Sequence, residues 1–356
     1  MARRGRFQAR LAGLPSGGPY AIELQIVDGA GRVLDRCLVK DVLVGDVWIL
    51  AGQSNMQGVG LLKDALKPNP RVRAFYMTDE WEVAAEPLHT LWCAVDPVHG
   101  GDPEAKRKPP QGITGTCPGL GFAHDMLRRT GIPQGFLACG HGGTSMAQWD
   151  PRLKTQGGKS LYGAMLRRVR KNGGRVAGVL WYQGCSDADP KAAAVYTQNM
   201  IRFVRSLRRD FQDPRLPIAV VQIARVTTRL PDAPSDDWNS IQDQQRRLGR
   251  RIPHCAVVPA IDLALDDAIH ISGADQNRLG RRMAYAISVL REGRRAGLPP
   301  IELKRVWSGK DERNVAVAWA EFANVVGRLR SAGPPAGFAL QGRSGPVPLY
   351  RIDLER

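Results

Sequence analysis

The chain has 356 residues, 43% of them hydrophobic, and Lys and Arg outnumber Asp and Glu by 51 to 34 for a formal charge of +17. That length and apolar content suit a core of normal size in one large domain or two, which excludes a disordered or fibrous protein. The longest apolar runs, such as Ala177 to Tyr182 and Pro217 to Ala224, fall far short of the ~20 residues that cross a bilayer, so no membrane segment is expected.

The start, "MARRGRFQARLAGL", has the basic opening of a signal peptide but not the apolar stretch of ~7–15 residues that should follow it, so as written the chain is expected in the cytoplasm. Residues 6 to 44 then alternate apolar and polar side chains ("AIELQIVD") between Gly and Pro, as antiparallel strands do. From residue 46 to 293 short apolar runs alternate with longer amphipathic ones. Strands are expected at Val47–Ala51, Gly135–Cys139, Gly178–Tyr182, Ile218–Ile223 and Ala256–Ile261. Helices are expected at Leu120–Arg129, Leu161–Lys171, Ala192–Phe211, Ser240–Arg250 and Ala274–Arg291. In the third helix Tyr196, Met200, Phe203, Val204, Leu207 and Phe211 form one apolar face, while Arg202, Arg205, Arg208 and Arg209 lie between them. Such arginines read as a solvated face; with no aromatic-interleaved motif beside them, nucleic acid is not an expected partner.

Alternating strands and helices, with the strands apolar throughout, predict an α/β fold whose parallel sheet is covered by helices on both sides. Residues 300 to 356 return to period-two alternation ("VAVAWAEF", "LYRIDLE"). Each end is too short for a core of its own, so the two are expected to join as one small antiparallel β-domain: residues 1–44 and 296–356, around an α/β domain of residues 45–295. Six cysteines stand far apart without metal or redox spacing and read as free thiols.

Reactive groups in an open α/β sheet gather at the carboxyl ends of the strands. Ser54 follows the first strand, "CGHGGTSMAQWD" the second, "LWYQGCSDAD" the third and "LDDAIHISG" the fifth. A serine needs a base to take its proton, and the base needs a carboxylate to hold its tautomer. Asp267 and His270, three residues apart, can supply both, completing a triad in the order Ser, Asp, His. Donors for a developing oxyanion are the N–H of Ser54, a glycine N–H from Gly142 and Gly143, and the amide of Gln183. Gln53, Asn55 and Trp149 are candidate substrate contacts, Asn55 reading first as a turn stabiliser and second as an oxyanion donor, and Trp149 as a stacking platform for a sugar. His141 could touch substrate or stay solvated. Ser145, in an approximate nucleophile elbow that lacks its final glycine, is a second-choice nucleophile. Asp187 and Asp189 precede a helix and read as caps.

At these four blocks the sequence resembles the SGNH-type carbohydrate esterases of the sialate O-acetylesterase and acetylxylan esterase group. "GQSNMQG" is similar to their nucleophile block, "GGTSMAQW" to the glycine block, "WYQGCSDA" to the Gln-Gly block and "DAIHISGADQNRLGRRMA" to the Asp-x-x-His block. "GPYAIELQI", "LVKDVLVGDVW" and "GPPAGFAL" are similar to the β-domain segments of the sialate type. The resemblance implies a flavodoxin-like core, no metal or cofactor, and removal of acetyl groups from an acetylated saccharide. It implies Ser54 as nucleophile, His270 as base, Asp267 as its partner, and Gly143 and Gln183 in the oxyanion hole. Where the family usually has Glu this chain has Cys185, which leaves the orienting role to Asp267; a degenerate saccharide-binding protein is the alternative that this replacement raises. Family chains also commonly carry further strands ahead of this start, and a shortened start would permit a secreted or periplasmic protein.

Overall fold

The computed structural model describes residues 11–105, 115–227, 236–293, 301–325, 327–329, 338, 340–349 and 351–353. The basic start through residue 10 and most of "GPPAGFAL" lie outside the described residues. By internal contacts the chain divides into two compact units, Met1–Ala296 and Gly297–Arg356.

The first unit opens with a long hairpin, β1 (Gly17–Val27) against β2 (Val33–Val44), antiparallel as its alternation predicts. Next comes β3 (Asp46–Gly52), whose residues from Trp48 to Ala51 are fully buried. The one-turn helix α1 (Ser54–Gln57) follows at once. Two strands absent from the sequence reading come next, β4 (Val72–Phe75) and β5 (Trp81–Val83), joined through a turn in which Asp79 takes a positive φ. Each has only three or four residues, too few for periodicity to register.

The α/β units are α2 (Pro118–Thr130), β6 (Gln134–Ala138), α3 (Leu161–Lys171), β7 (Gly178–Tyr182), α4 (Pro190–Asp210), β8 (Ile218–Gln222), α5 (Asp236–Arg251), β9 (Cys255–Pro259) and α6 (Gly273–Glu292). Local chemistry sets several of their starts. Ser160 accepts the N–H of Gly163 at 3.1 Å ahead of α3, and Asp189 accepts those of Lys191 and Ala192 at 2.9 and 3.1 Å, with Pro190 opening α4. Gly131, left-handed at φ 69, ends α2.

The seven strands order as β5-β4-β6-β3-β7-β8-β9, all parallel except β5. Strand β3 is central, with Trp48 beside Phe136 on one flank and Leu50 beside Leu180 on the other. Chain order reverses direction across β3: β4 and β6 lie to one side, β7 to β9 to the other. In such sheets the loops after adjacent strands part at this point and leave a crevice at the carboxyl ends. Ser54, the segment after β6 and the segment after β7 therefore converge there.

The second unit contains β10 (Glu302–Lys310) paired antiparallel with β11 (Ala316–Ala323), and β12 (Leu340–Gly342) with β13 (Gly345–Val347). Trp307 and Trp319 sit opposite each other in the first pair and stack at 5.7 Å. Among the described residues, no helix is long and apolar enough to cross a membrane.

Candidate active site

The end of β3 is locked to its neighbour. The N–H of Gln53 donates to Tyr182 O at 2.8 Å, and Gly52 holds φ 134 with Tyr182 O only 2.1 Å from where a Cβ would stand. No residue but glycine fits so close to a neighbouring carbonyl at that angle. Gln53 is 2% exposed and its Oε1 accepts the N–H groups of Gly184 and Ser186 at 2.9 and 3.3 Å. Its expected role as a substrate contact is thereby corrected: it ties the nucleophile turn to the loop after β7.

Asn55 is likewise a structural tie. It is fully buried; its Oδ1 accepts from Ile271 N–H at 2.9 Å and Gln276 Nε2 at 3.1 Å, and its Nδ2 donates to Ile269 O at 3.1 Å. One side chain thus brackets His270 by bonding the residues before and after it. Ser54 itself stays partly open between these two buried amides.

The histidine loop is shaped from within. Asp267 Oδ1 accepts the N–H groups of Ile269 and His270 at 2.9 and 2.8 Å, a side-chain turn that leaves Oδ2 facing the ring, 2.6 Å from His270 Nδ1. On the other edge of the ring, His270 Nε2 lies 2.9 Å from Ser54 Oγ. Residues 216 apart in sequence meet at hydrogen-bond distance. Burial alone would raise the Asp267 carboxyl, but the donated N–H groups and His270 outweigh it and hold it below the ordinary carboxylate value. The carboxylate is therefore ionised and places the proton on Nδ1, which leaves Nε2 free to accept from the serine.

The segment after β6 forms the opposite wall. His141 N–H donates to Gly52 O at 2.9 Å and Gly142 N–H to Gln57 Oε1 at 2.6 Å, and a Cβ on Gly142 would lie 3.6 Å from that of Ser54. Gly143 is exposed with φ 68. Neither its N–H nor that of Ser54 has an acceptor among the described residues.

Gln183 behaves differently from expectation. It is fully buried, and its Nε2 donates to Thr144 O at 3.0 Å and to Asp187 Oδ2, so both amide hydrogens are spent inside the protein. Asp187, 2% exposed, also accepts Met146 N–H at 3.0 Å, and burial raises its pKa. It is a buried tie between the Gln-Gly block and the glycine block instead of the helix cap that spacing suggested. Asp189 does cap α4, as above.

Trp149 is corrected as well. It is fully buried, packed edge-on against Trp181 at 5.2 Å, with its Nε1 donating to Thr144 Oγ1 at 3.0 Å. It has no face to offer a sugar. Ser145 Oγ meets Gln148 Oε1 at 3.3 Å, not a base. Cys185 is partly buried and its thiol is pushed up to about 12 by burial, which keeps it protonated and unreactive at neutral pH. The other five cysteines are also free. Among the described residues no group of three or more His, Cys, Asp or Glu is arranged to hold a metal.

The profile of the family described as "Carbohydrate esterase, sialic acid-specific acetylesterase" matches residues 44–289, the whole α/β core and its four blocks. This chain belongs to that family. The esterase is 31% identical to a probable carbohydrate esterase of Arabidopsis thaliana over 263 residues, covering 67% of this chain and 89% of that protein. Among solved structures, a protein of Arabidopsis thaliana superposes with a TM-score of 0.54 at 28% identity, over 68% of this chain and 96% of its own. A carbohydrate acetylesterase from Xanthomonas citri superposes with a TM-score of 0.66 at 24% identity, over 94% and 75%. The flavodoxin-like α/β architecture that the sequence blocks imply is the one observed.

Proposed function

We propose that this esterase removes acetyl groups from sugar hydroxyls through an acyl-enzyme on Ser54. Ser54 Oγ attacks the acetyl carbonyl carbon as its proton passes to His270 Nε2, and the carboxylate of Asp267 stabilises the imidazolium that results. The N–H groups of Ser54 and Gly143, which have no acceptor of their own, receive the developing oxyanion. Gln183 drops out of that role because its hydrogens are engaged. As the tetrahedral adduct collapses, the C–O bond to the sugar breaks and His270 returns the proton to the departing oxygen. A water, deprotonated by the same ring, then cleaves the acetyl ester of Ser54 and releases acetate.

The observation that carries this reading is the unbroken chain from Ser54 Oγ through the His270 ring to Asp267, at 2.9 and 2.6 Å. It also weighs against a degenerate binding protein: Cys185 stands where the family has a glutamate, yet the histidine keeps a carboxylate partner. The positive charge of the chain suits an acidic saccharide such as an acetylated sialoside, and the family description favours the same substrate class.

The test is acetate release from acetylated sialosides, acetylxylan and acetylated pectin, run beside Ser54→Ala and with a fluorophosphonate probe. Turnover and a covalent adduct that both require Ser54 are expected. Undiminished turnover in Ser54→Ala rejects the assignment, and saccharide binding without any adduct favours the binding protein.

A further inference from the structure

The acyl-transfer steps use one imidazole and leave unused a pair of others, one of which is next in sequence to the glycine that borders the nucleophile. His99 ends a short 3-10 turn, Pro97–His99, and its Nδ1 lies 3.0 Å from the Nδ1 of His141; the rings stack with centroids 5.2 Å apart and planes 27° from parallel. Two Nδ1 atoms at this distance share one hydrogen, since a bond between them needs one donor and one acceptor. The two neutral rings must therefore be in opposite tautomers. Whichever ring donates at Nδ1 has a bare Nε2, and the other carries a hydrogen there.

Their surroundings keep both rings uncharged. Burial, reinforced by His141 and the Arg168 guanidinium, takes His99 down to about 3, and burial also lowers His141. The two rings differ in access: His99 is 8% exposed, while His141 is only partly buried, and its Nε2 has no partner among the described residues. His141 directly precedes Gly142, whose backbone borders Ser54, and is itself anchored to Gly52 O. His141 is thus one residue from the glycine beside the nucleophile, with a ring nitrogen that the described residues leave unpartnered.

We propose that the open Nε2 of His141 hydrogen-bonds a free hydroxyl of the sugar that carries the acetyl ester, with His99 as the positioning residue that holds the ring and its tautomer. The proposal rests on the esterase reading. A hydroxyl fits this edge better than a carboxylate does. It can donate or accept, so it satisfies either tautomer of the pair, whereas a carboxylate only accepts and would meet an uncharged ring. The pair therefore reads hydroxyls, and any acidic group of the substrate is left to other contacts.

The experiment compares kcat/KM for an acetylated methyl hexoside with that for the analogue lacking the hydroxyl next to the ester. The wild-type protein should favour the hydroxylated substrate by roughly 3–10-fold, the size of one good neutral hydrogen bond in a partly open site. His141→Phe should bring that ratio close to one, His99→Phe should compress it, and His99→Gln, which can still pair with Nδ1, should restore most of it. Ring nitrogen NMR of the unaltered protein supplies a readout independent of folding: one bare and one protonated Nδ1 are expected. Two bare Nδ1 atoms, or a ratio undiminished in His141→Phe, overturn the assignment. Turnover persisting in Ser54→Ala counts instead against the esterase reading. Turnover that needs Ser54 but ignores the missing hydroxyl defeats the hydroxyl proposal alone.

Discussion

In the turn that carries Ser54, the flanking Gln53, Asn55 and Met56 are buried to 2% exposure or less, and each amide is bonded to a different segment of the chain. In the loop that carries His270, the Asp267 side chain is 56% exposed and the bonds that shape it are made within four residues. One half of the candidate triad is held by tertiary packing, the other by local chemistry plus the reach of Asn55 and a bond from Thr227 N–H to Ala268 O at 2.8 Å. Substitutions on the buried side should cost both stability and rate. Those on the exposed side should cost rate with little loss of stability.

The sharpest test is Asp267→Asn. The amide can still accept from the loop N–H groups but favours the wrong imidazole tautomer, so kcat should fall by up to ~10⁴-fold. The midpoint of thermal unfolding should shift little. A protein that loses activity only because it unfolds would erase the contrast.

Asn55→Ala should follow in size. It strands the N–H of Ile271 and the amide of Gln276 in a buried site, at about 1–3 kcal/mol for each unpaired group, and releases His270 from the nucleophile turn. Denaturant unfolding and kcat should both drop, the latter by roughly 10²-fold if misplacement of the ring by about 1 Å is the cause.

Asp187→Asn probes the tie between the two oxyanion-side loops. An amide oxygen in the place of Oδ2 can still accept from both Met146 and Gln183, but the Nδ2 in the place of Oδ1 then faces the Met146 N–H donor to donor at 3.2 Å, and a loss of about 1–3 kcal/mol with a smaller fall in kcat is expected. KM for a simple acetate ester provides the check, since a loosened loop should change kcat more than KM.

The smallest effect concerns Glu86, which accepts the N–H of Cys117 at the start of α2 and is lifted by burial from 4.5 to about 7. The folded protein then holds this proton more tightly than the unfolded chain. The stability so gained is complete below the unfolded value and declines as pH rises through 7. Glu86→Gln should flatten the fall in unfolding free energy between pH 5 and 8, by about 1–3 kcal/mol at most. An unchanged slope would remove Glu86 as its source.

Legibility in the sequence follows the same division. Strand β7 and helix α3 fall where the apolar runs predict them, and the Asp267 turn is visible from three-residue spacing because the bonds that build it are local. Trp149 and Gln183 were misjudged because proximity to a reactive block says nothing about which way a side chain points; one is packed on Trp181 and the other on Asp187. His99 carried no signal, since its partner lies 42 residues away and neither neighbourhood shows a pattern.

What the sequence determined by itself is the order of the longer strands and helices, the family blocks and the internal form of the histidine loop, all of which depend on periodicity or on contacts between near neighbours. Tertiary structure alone decided that Ser54 and His270 meet, which polar groups are already satisfied, and which remain open to a substrate. Hydrogen-bond donors and acceptors are allotted by competition among distant segments in a dense interior, and that competition has no outcome until the chain is folded.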